Sequence, residues 1–195
     1  MDNNLIRSFI AIELPAEVSA TLEEIQKALK SPQHNFVKWV PPTNIHITLK
    51  FLGNVSSEKI ASITSAMEQT SQAISPFQLK LGEIGAFPNL KQPRILWIGV
   101  KGETDKLKTM QANLEEHLAR LGFTRESRGF TPHLTLARLR EGISSVERRS
   151  FGDLIAEKSI KVDCQFAATK ISLMKSQLLP SGAVYTRLTE VKLKD

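Results

Sequence analysis

The chain has 195 residues, 41% of them hydrophobic and 24% charged. A chain of this size hides about 70% of its unfolded surface on folding, so it needs no disulfide or structural metal to hold a core. Its single cysteine, Cys164, excludes an internal disulfide and fits a reducing compartment. The 26 Lys and Arg outnumber the 20 Asp and Glu, a net charge of +6 that leans toward anionic ligands, though no basic block forms a nucleic-acid arm. No apolar run approaches the roughly 20 residues that cross a bilayer. The stretch Phe9–Ile12 stops at Glu13, too short for a secretory signal. A soluble, cytoplasmic protein with no membrane association and no obligate protein partner is expected.

In chain order, residues 7–14 read as a buried strand. A helix then opens at Pro15, with Val18, Leu22, Ile25 and Leu29 on one face. After Pro41-Pro42, the segment NIHITLKFLG alternates as a strand, and Ser56 caps a second helix carrying Ile60, Ile63 and Met67. Strands are expected over 77–84 and 94–100. A third helix carries Leu107, Met110, Leu114, Leu118 and Leu121 and stops at Gly122. The next strand is PHLTLARL, followed by a helix over 145–157. Strands over 170–179 and 183–191 close the chain through a hairpin turn at Pro180-Ser181-Gly182.

One regularity organises these elements. His46 and His133 stand 87 positions apart, each in an H-x-T-L tetrapeptide, and Arg7 and Arg94 repeat the same offset at the head of similar strands. Two copies of a β-α-β unit explain this economically. A pseudo-twofold axis would bring the H-x-T strands together across a groove. The expected fold is α+β and bilobal, with pseudo-symmetric lobes, antiparallel sheets facing the groove and helices outside, in one domain over residues 1–195.

Alternate strand residues share a face, so His46 and Thr48 point together, as do His133 and Thr135. On strict alternation Lys50 joins the His46 face as a candidate phosphate contact. A histidine titrates near 6.5, so one of a pair can accept a proton while the other donates one. A phosphodiester between them would undergo in-line attack by water, with the threonine hydroxyls holding its non-bridging oxygens. The residues alone leave open which histidine takes which role. His34, in a polar stretch, is expected to be solvated, and His117 half-exposed on a helix flank. No nucleophile elbow, Walker loop, dinucleotide fingerprint or zinc motif competes, and no Cys, Asp or Glu completes a metal set with the two histidines at the usual spacing. No metal or other cofactor is expected.

RSFIAIELP, KWVPPTNIHITLKFLGNV, GAFPN with RILWIGV, and GFTPHLTLARL together resemble the 2H (two-histidine) phosphoesterase superfamily, and within it the RNA 2',3'-cyclic phosphodiesterase group, also called 2'-5' RNA ligases. The resemblance covers nearly the whole chain. It implies metal-independent opening of terminal 2',3'-cyclic phosphates to a 2'-phosphate, with RNA ends or small cyclic nucleotides as substrates. It also implies His46 as proton donor and His133 as acceptor, with Thr48 and Thr135 as the family threonines. The resemblance also implies that the same site could join a cyclic-phosphate end to a 5'-hydroxyl as a 2'-5' linkage, without ATP. Arg138 matches the family's H-x-T-x-x-R, although strict alternation puts it on the opposite face. Arg128 and Phe130, just before the second motif, are further candidates for a ribose phosphate or a base. The alternatives are a 2'-5' oligonucleotide phosphodiesterase and a non-catalytic RNA- or nucleotide-binding module.

Overall fold

Proline and apolar spacing decide where the helices form. Pro15 supplies the extended residue before the first helix, and all four apolar positions spaced along it are buried. The computed structural model describes residues 5–158, 160, 162–180 and 182–194. In order, the elements are β1 (Leu5–Glu13), α1 (Ala16–Leu29), β2 (Val37–Trp39), β3 (His46–Ser56), α2 (Ile60–Gln72), β4 (Phe77–Phe87), β5 (Ile95–Gly102), α3 (Thr104–Arg120), β6 (His133–Leu139), α4 (Ser145–Glu157), β7 (Gln165–Ala168), β8 (Lys170–Leu179) and β9 (Gly182–Lys192). Ser56 caps a short 3-10 turn that leads into α2, and Gly122 turns the chain after α3 at φ +88°. A capping box between Ser144 and Glu147 fixes the start of α4. The C-terminal strands pair out to Leu179 and Gly182, but Ser181 of the turn lies outside the described residues.

The strands form one curled antiparallel sheet in the order β7-β4-β5-β6-β3-β1-β8-β9, with β2 on the edge of β6. One face is apolar. Ile10, Ile12, Ile47, Leu49, Leu96, Ile98, Leu134 and Leu136 lie there, in a single core with Val18, Leu22, Met67, Met110 and Leu114 of the helices. The other face is open and carries the histidines. The two lobes therefore share one continuous sheet, and they meet where β3 pairs β6 at Ile47 and Leu134.

The 87-residue offset holds element by element, since it relates β1 to β5, α1 to α3, β3 to β6 and α2 to α4. The copies are not self-contained, however. β4 follows the first copy yet pairs β5, and β8 follows the second yet pairs β1. Each copy thus supplies a strand to the other's half of the sheet. The helices cross over as well: Gln26 of α1 donates to the Leu136 carbonyl of β6, and Gln111 of α3 to the Leu49 carbonyl of β3.

Candidate active site

Each histidine opens its strand directly after a turn. Pro42–Asn44 forms a 3-10 turn before His46, and Thr131-Pro132 precedes His133. In both cases the ring's Nδ1 lies on the carbonyl two residues back, at 2.8 Å from Asn44 and 2.7 Å from Thr131. A carbonyl can only accept, so Nδ1 carries the proton and Nε2 is the nitrogen left for a substrate. The Asn44 side chain in turn donates to the Ala183 carbonyl at 2.8 Å, which ties this turn to β9.

The pairing of Ile47 with Leu134 sets the register of the seam. In an antiparallel pair that register puts His46 level with Thr135 and Thr48 level with His133, all on the face opposite the core. The two histidines are then diagonal neighbours, and such positions lie about 7–8 Å apart, a gap that one phosphate can fill. All four side chains are half-buried.

The two imidazoles differ in their surroundings. His46 stacks on Phe9, with ring centroids 4.6 Å apart, and meets the edge of Tyr185 at 5.3 Å. Its cross-strand partner is Glu13. That carboxylate accepts from Arg187 Nε at 2.8 Å and Nη2 at 3.0 Å, and from the Ser172 hydroxyl at 2.5 Å. Burial opposes the ionisation of Glu13, but the hydrogen bonds from Arg187 and Ser172, with the charges of Arg187 and Lys170, outweigh it and hold its carboxyl below the usual range. For His46, burial is the largest influence and keeps it below its ordinary value. The bond to Asn44 and the charge of Glu13 act in the opposite sense, while the charge of Arg138 adds to the lowering.

His133 has no acidic neighbour in register, since its partner on β5 is Gly99. Phe87 meets it edge-on at 5.1 Å, and Trp97, the partner of Thr135, lies 6.3 Å away. The Trp97 indole covers Gly85, where a Cβ would overlap the ring. A glycine at that position is what lets the indole lie flat on the groove.

The candidate contacts around the histidines separate clearly. Beside Leu49 the register of β3 slips by one residue against β1, and beside Leu136 the register of β6 slips by one against β5. These bulges fall at the same place in each motif, three residues after the histidine, and each resets the alternation. Arg138 is thereby returned to the histidine face. Lys50 is turned away from it, which corrects the expectation from strict alternation. Its side chain is buried (8% exposed) beneath the sheet, and its ammonium lies 2.7 Å from Glu115 and 2.6 Å from the Thr124 carbonyl. A buried, paired lysine is not available to a phosphate.

Phe51 takes the place on the groove face that alternation gave to Lys50. It is 69% exposed, with its ring 6.2 Å from Phe9. Phe130 is half-buried and packs against the core. Arg128 is exposed in the loop before β6. Of the other histidines, His117 is half-exposed as expected. His34 is buried between Phe36 and Phe151, 3.4 Å from the Ser150 hydroxyl, and not solvated.

The sequence reading missed Glu13, Phe9, Tyr185 and Arg187 around His46, and Phe87 and Trp97 around His133. Phe9 and Glu13 were visible as alternate members of the first strand, but nothing local marks which of its faces is the groove. Among the described residues no three His, Cys, Asp or Glu side chains gather as a metal-ligand set, and no helix is long and apolar enough to cross a membrane.

Comparison with known proteins identifies the family. The family model described as LigT like Phosphoesterase matches twice, over residues 12–97 and 98–185. The RNA 2',3'-cyclic phosphodiesterase of Methanocaldococcus jannaschii is 36% identical over 186 residues, covering 95% of this chain and 99% of that protein. The protein of the same name from Methanothermobacter thermautotrophicus is 31% identical over 189 residues, covering 96% and 99%. Among solved structures, E. coli LigT complexed with 3'-AMP superposes with a TM-score of 0.77 at 26% identity, covering 98% of this chain and 100% of that one. TT0787 of Thermus thermophilus gives 0.76 at 27%, with coverage of 96% and 98%.

Proposed function

Because the chain belongs to the LigT-like phosphoesterase family, we propose that it is an RNA 2',3'-cyclic phosphodiesterase that opens the terminal cyclic phosphate to a 2'-phosphate, with His46 and His133 as its catalytic pair. The observation that carries this reading is the paired imidazoles, diagonal across the seam and each held by an Nδ1–H bond to its own turn.

In this mechanism His133 Nε2 takes a proton from water as the water oxygen attacks phosphorus. The bond from phosphorus to the 3'-oxygen breaks, and His46 Nε2–H protonates that oxygen as it leaves. The product keeps phosphate on the 2'-oxygen and a free 3'-hydroxyl. Charge building on the non-bridging oxygens is met by the Thr48 and Thr135 hydroxyls and by Arg138. A phosphodiester anion seated beside His46 raises its proton affinity, which offsets the lowering that burial imposes on it. No step calls for a metal. With a 5'-hydroxyl in place of water, the same steps would break the bond to the 3'-oxygen and join the two ends as a 2'-5' linkage, His133 taking the hydroxyl proton and His46 protonating the 3'-oxygen.

The test is hydrolysis of an RNA ending in a 2',3'-cyclic phosphate, assayed in EDTA, with identification of the hydroxyl that keeps the phosphate. Each of His46→Ala and His133→Ala is expected to lower kcat by about 10²–10⁴-fold, the usual contribution of one positioned acid or base. Near wild-type kcat in both variants would refute the mechanism. Cleavage of 2'-5'-linked oligonucleotides in preference to the cyclic end would favour the alternative phosphodiesterase.

A further inference from the structure

Beyond the histidines, at the far end of β6, a cavity of about 430 Å³ is lined by Arg94, Arg138, Arg140 and Arg148, with Glu141 as its carboxylate. The arginine ion pairs of the described residues are those of Arg120 and Arg187, so none of these four guanidiniums is neutralised in that way. Arg148 donates to the Pro93 carbonyl at 3.0 Å. Lys38, the β2 partner of Arg138, adds a further exposed cation at the margin. Like charges gathered around one cavity repel each other, and an anion among them removes that repulsion.

The backbone carrying these arginines is pinned. The Arg94 N–H donates to the Phe87 carbonyl at 2.8 Å, the Leu139 N–H to the Arg94 carbonyl at 2.9 Å, and the Arg140 N–H to the Phe36 carbonyl at 3.0 Å. Arg94, Arg138 and Arg140 are thus presented from the ends of strands, and Arg148 from α4, rather than from a free loop, which limits the ordering entropy lost on binding. Arg138 links the cavity to the catalytic groove, since it lines the cavity while the β6 bulge puts it on the histidine face, on the side nearer His46.

We propose that this arginine cleft is a second anion site, which holds the backbone phosphates of an RNA upstream of its terminal nucleotide. The inference rests on reading the paired histidines as the site of cyclic-phosphate hydrolysis. It makes an oligonucleotide, rather than a cyclic mononucleotide, the preferred substrate. Guanidiniums suit the task because each offers a planar fork of donors to a phosphate's oxygens. A mononucleotide 2',3'-cyclic phosphate has no upstream phosphodiester and leaves the cleft unused.

The experiment compares the wild type with the double variant Arg94→Ala/Arg140→Ala on two substrates, adenosine 2',3'-cyclic phosphate and a five-nucleotide RNA ending in a cyclic phosphate. For the RNA, KM is expected to rise about tenfold or more, and the slope of log KM against log salt to flatten by about 1.4, the share of two phosphate contacts on a single strand. For the mononucleotide, kcat/KM is expected to stay within about twofold. An unchanged KM for the RNA, or an equal loss on both substrates, overturns the proposal. If the wild type hydrolyses neither substrate, the catalytic reading fails by itself. The cleft is then decided by fluorescence anisotropy with the same RNA carrying a 2'-phosphate: a flatter salt slope in the variant supports the site, and an unchanged slope removes it.

Discussion

Glu13 stands across the strand from His46, while Gly99 holds the matching place beside His133. One histidine therefore has a carboxylate as its outer cross-strand partner and the other has a glycine, an asymmetry that the duplicated tetrapeptides conceal. Because the negative charge favours protonated His46, replacing it should favour the neutral ring. In Glu13→Gln the NMR titration midpoint of the His46 ring is expected to move to lower pH, and Arg187, losing its anionic partner, acts in the same sense. A midpoint that stays or rises would show that Glu13 does not set the charge of this histidine. That His46, Thr48, His133 and Thr135 share one face was readable from the tetrapeptides alone. Glu13 was not, because it meets His46 through a pairing between strands, and no local pattern encodes a cross-strand partner.

At the scale of single elements, the matched bulges beside Leu49 and Leu136 decide what joins each histidine on the groove face. Strict alternation assigned Lys50 to that face and Arg138 to the other, and one extra residue in each strand reverses both. The sequence hides this because a bulge is defined by the partner strand, here β1 or β5, and not by the bulged residues. Beneath each bulge a glutamine from a crossing helix reaches a carbonyl. Gln26 is 1% exposed and donates to the Leu136 carbonyl at 3.0 Å and to the Val40 carbonyl at 2.7 Å. Gln26→Met keeps the length of the side chain and removes both bonds. It is expected to cost about 1–3 kcal/mol in urea denaturation and to raise KM for the RNA by loosening Arg138. Wild-type stability together with an unchanged KM would show that the bulge needs no support from below.

For the whole molecule, the repeat of 87 residues forecast two lobes around a groove and the order of elements within each. It did not forecast that the copies exchange strands and helices, since a repeat records which elements recur but not which half each one joins. The exchange places β4 and β8 where neither half has a complete sheet of its own. The lobes should therefore unfold together. Leu134 is fully buried at their junction, and Leu134→Ala is expected to cost about 2–5 kcal/mol as a core cavity. A single cooperative transition, the same by fluorescence and by circular dichroism, is the expected result. Two separated transitions would show that the lobes fold independently.

That junction has a consequence for catalysis. Ile47 and Leu134 pair where β3 meets β6, and each is adjacent in the chain to one of the histidines proposed as the catalytic pair. In the proposed mechanism their packing sets the span between the two imidazoles, as the rivet of a pair of tongs sets the gap between its jaws. Two buried aliphatic side chains on the core face thus fix the spacing offered to phosphorus, and the shape of the interior becomes part of the chemistry.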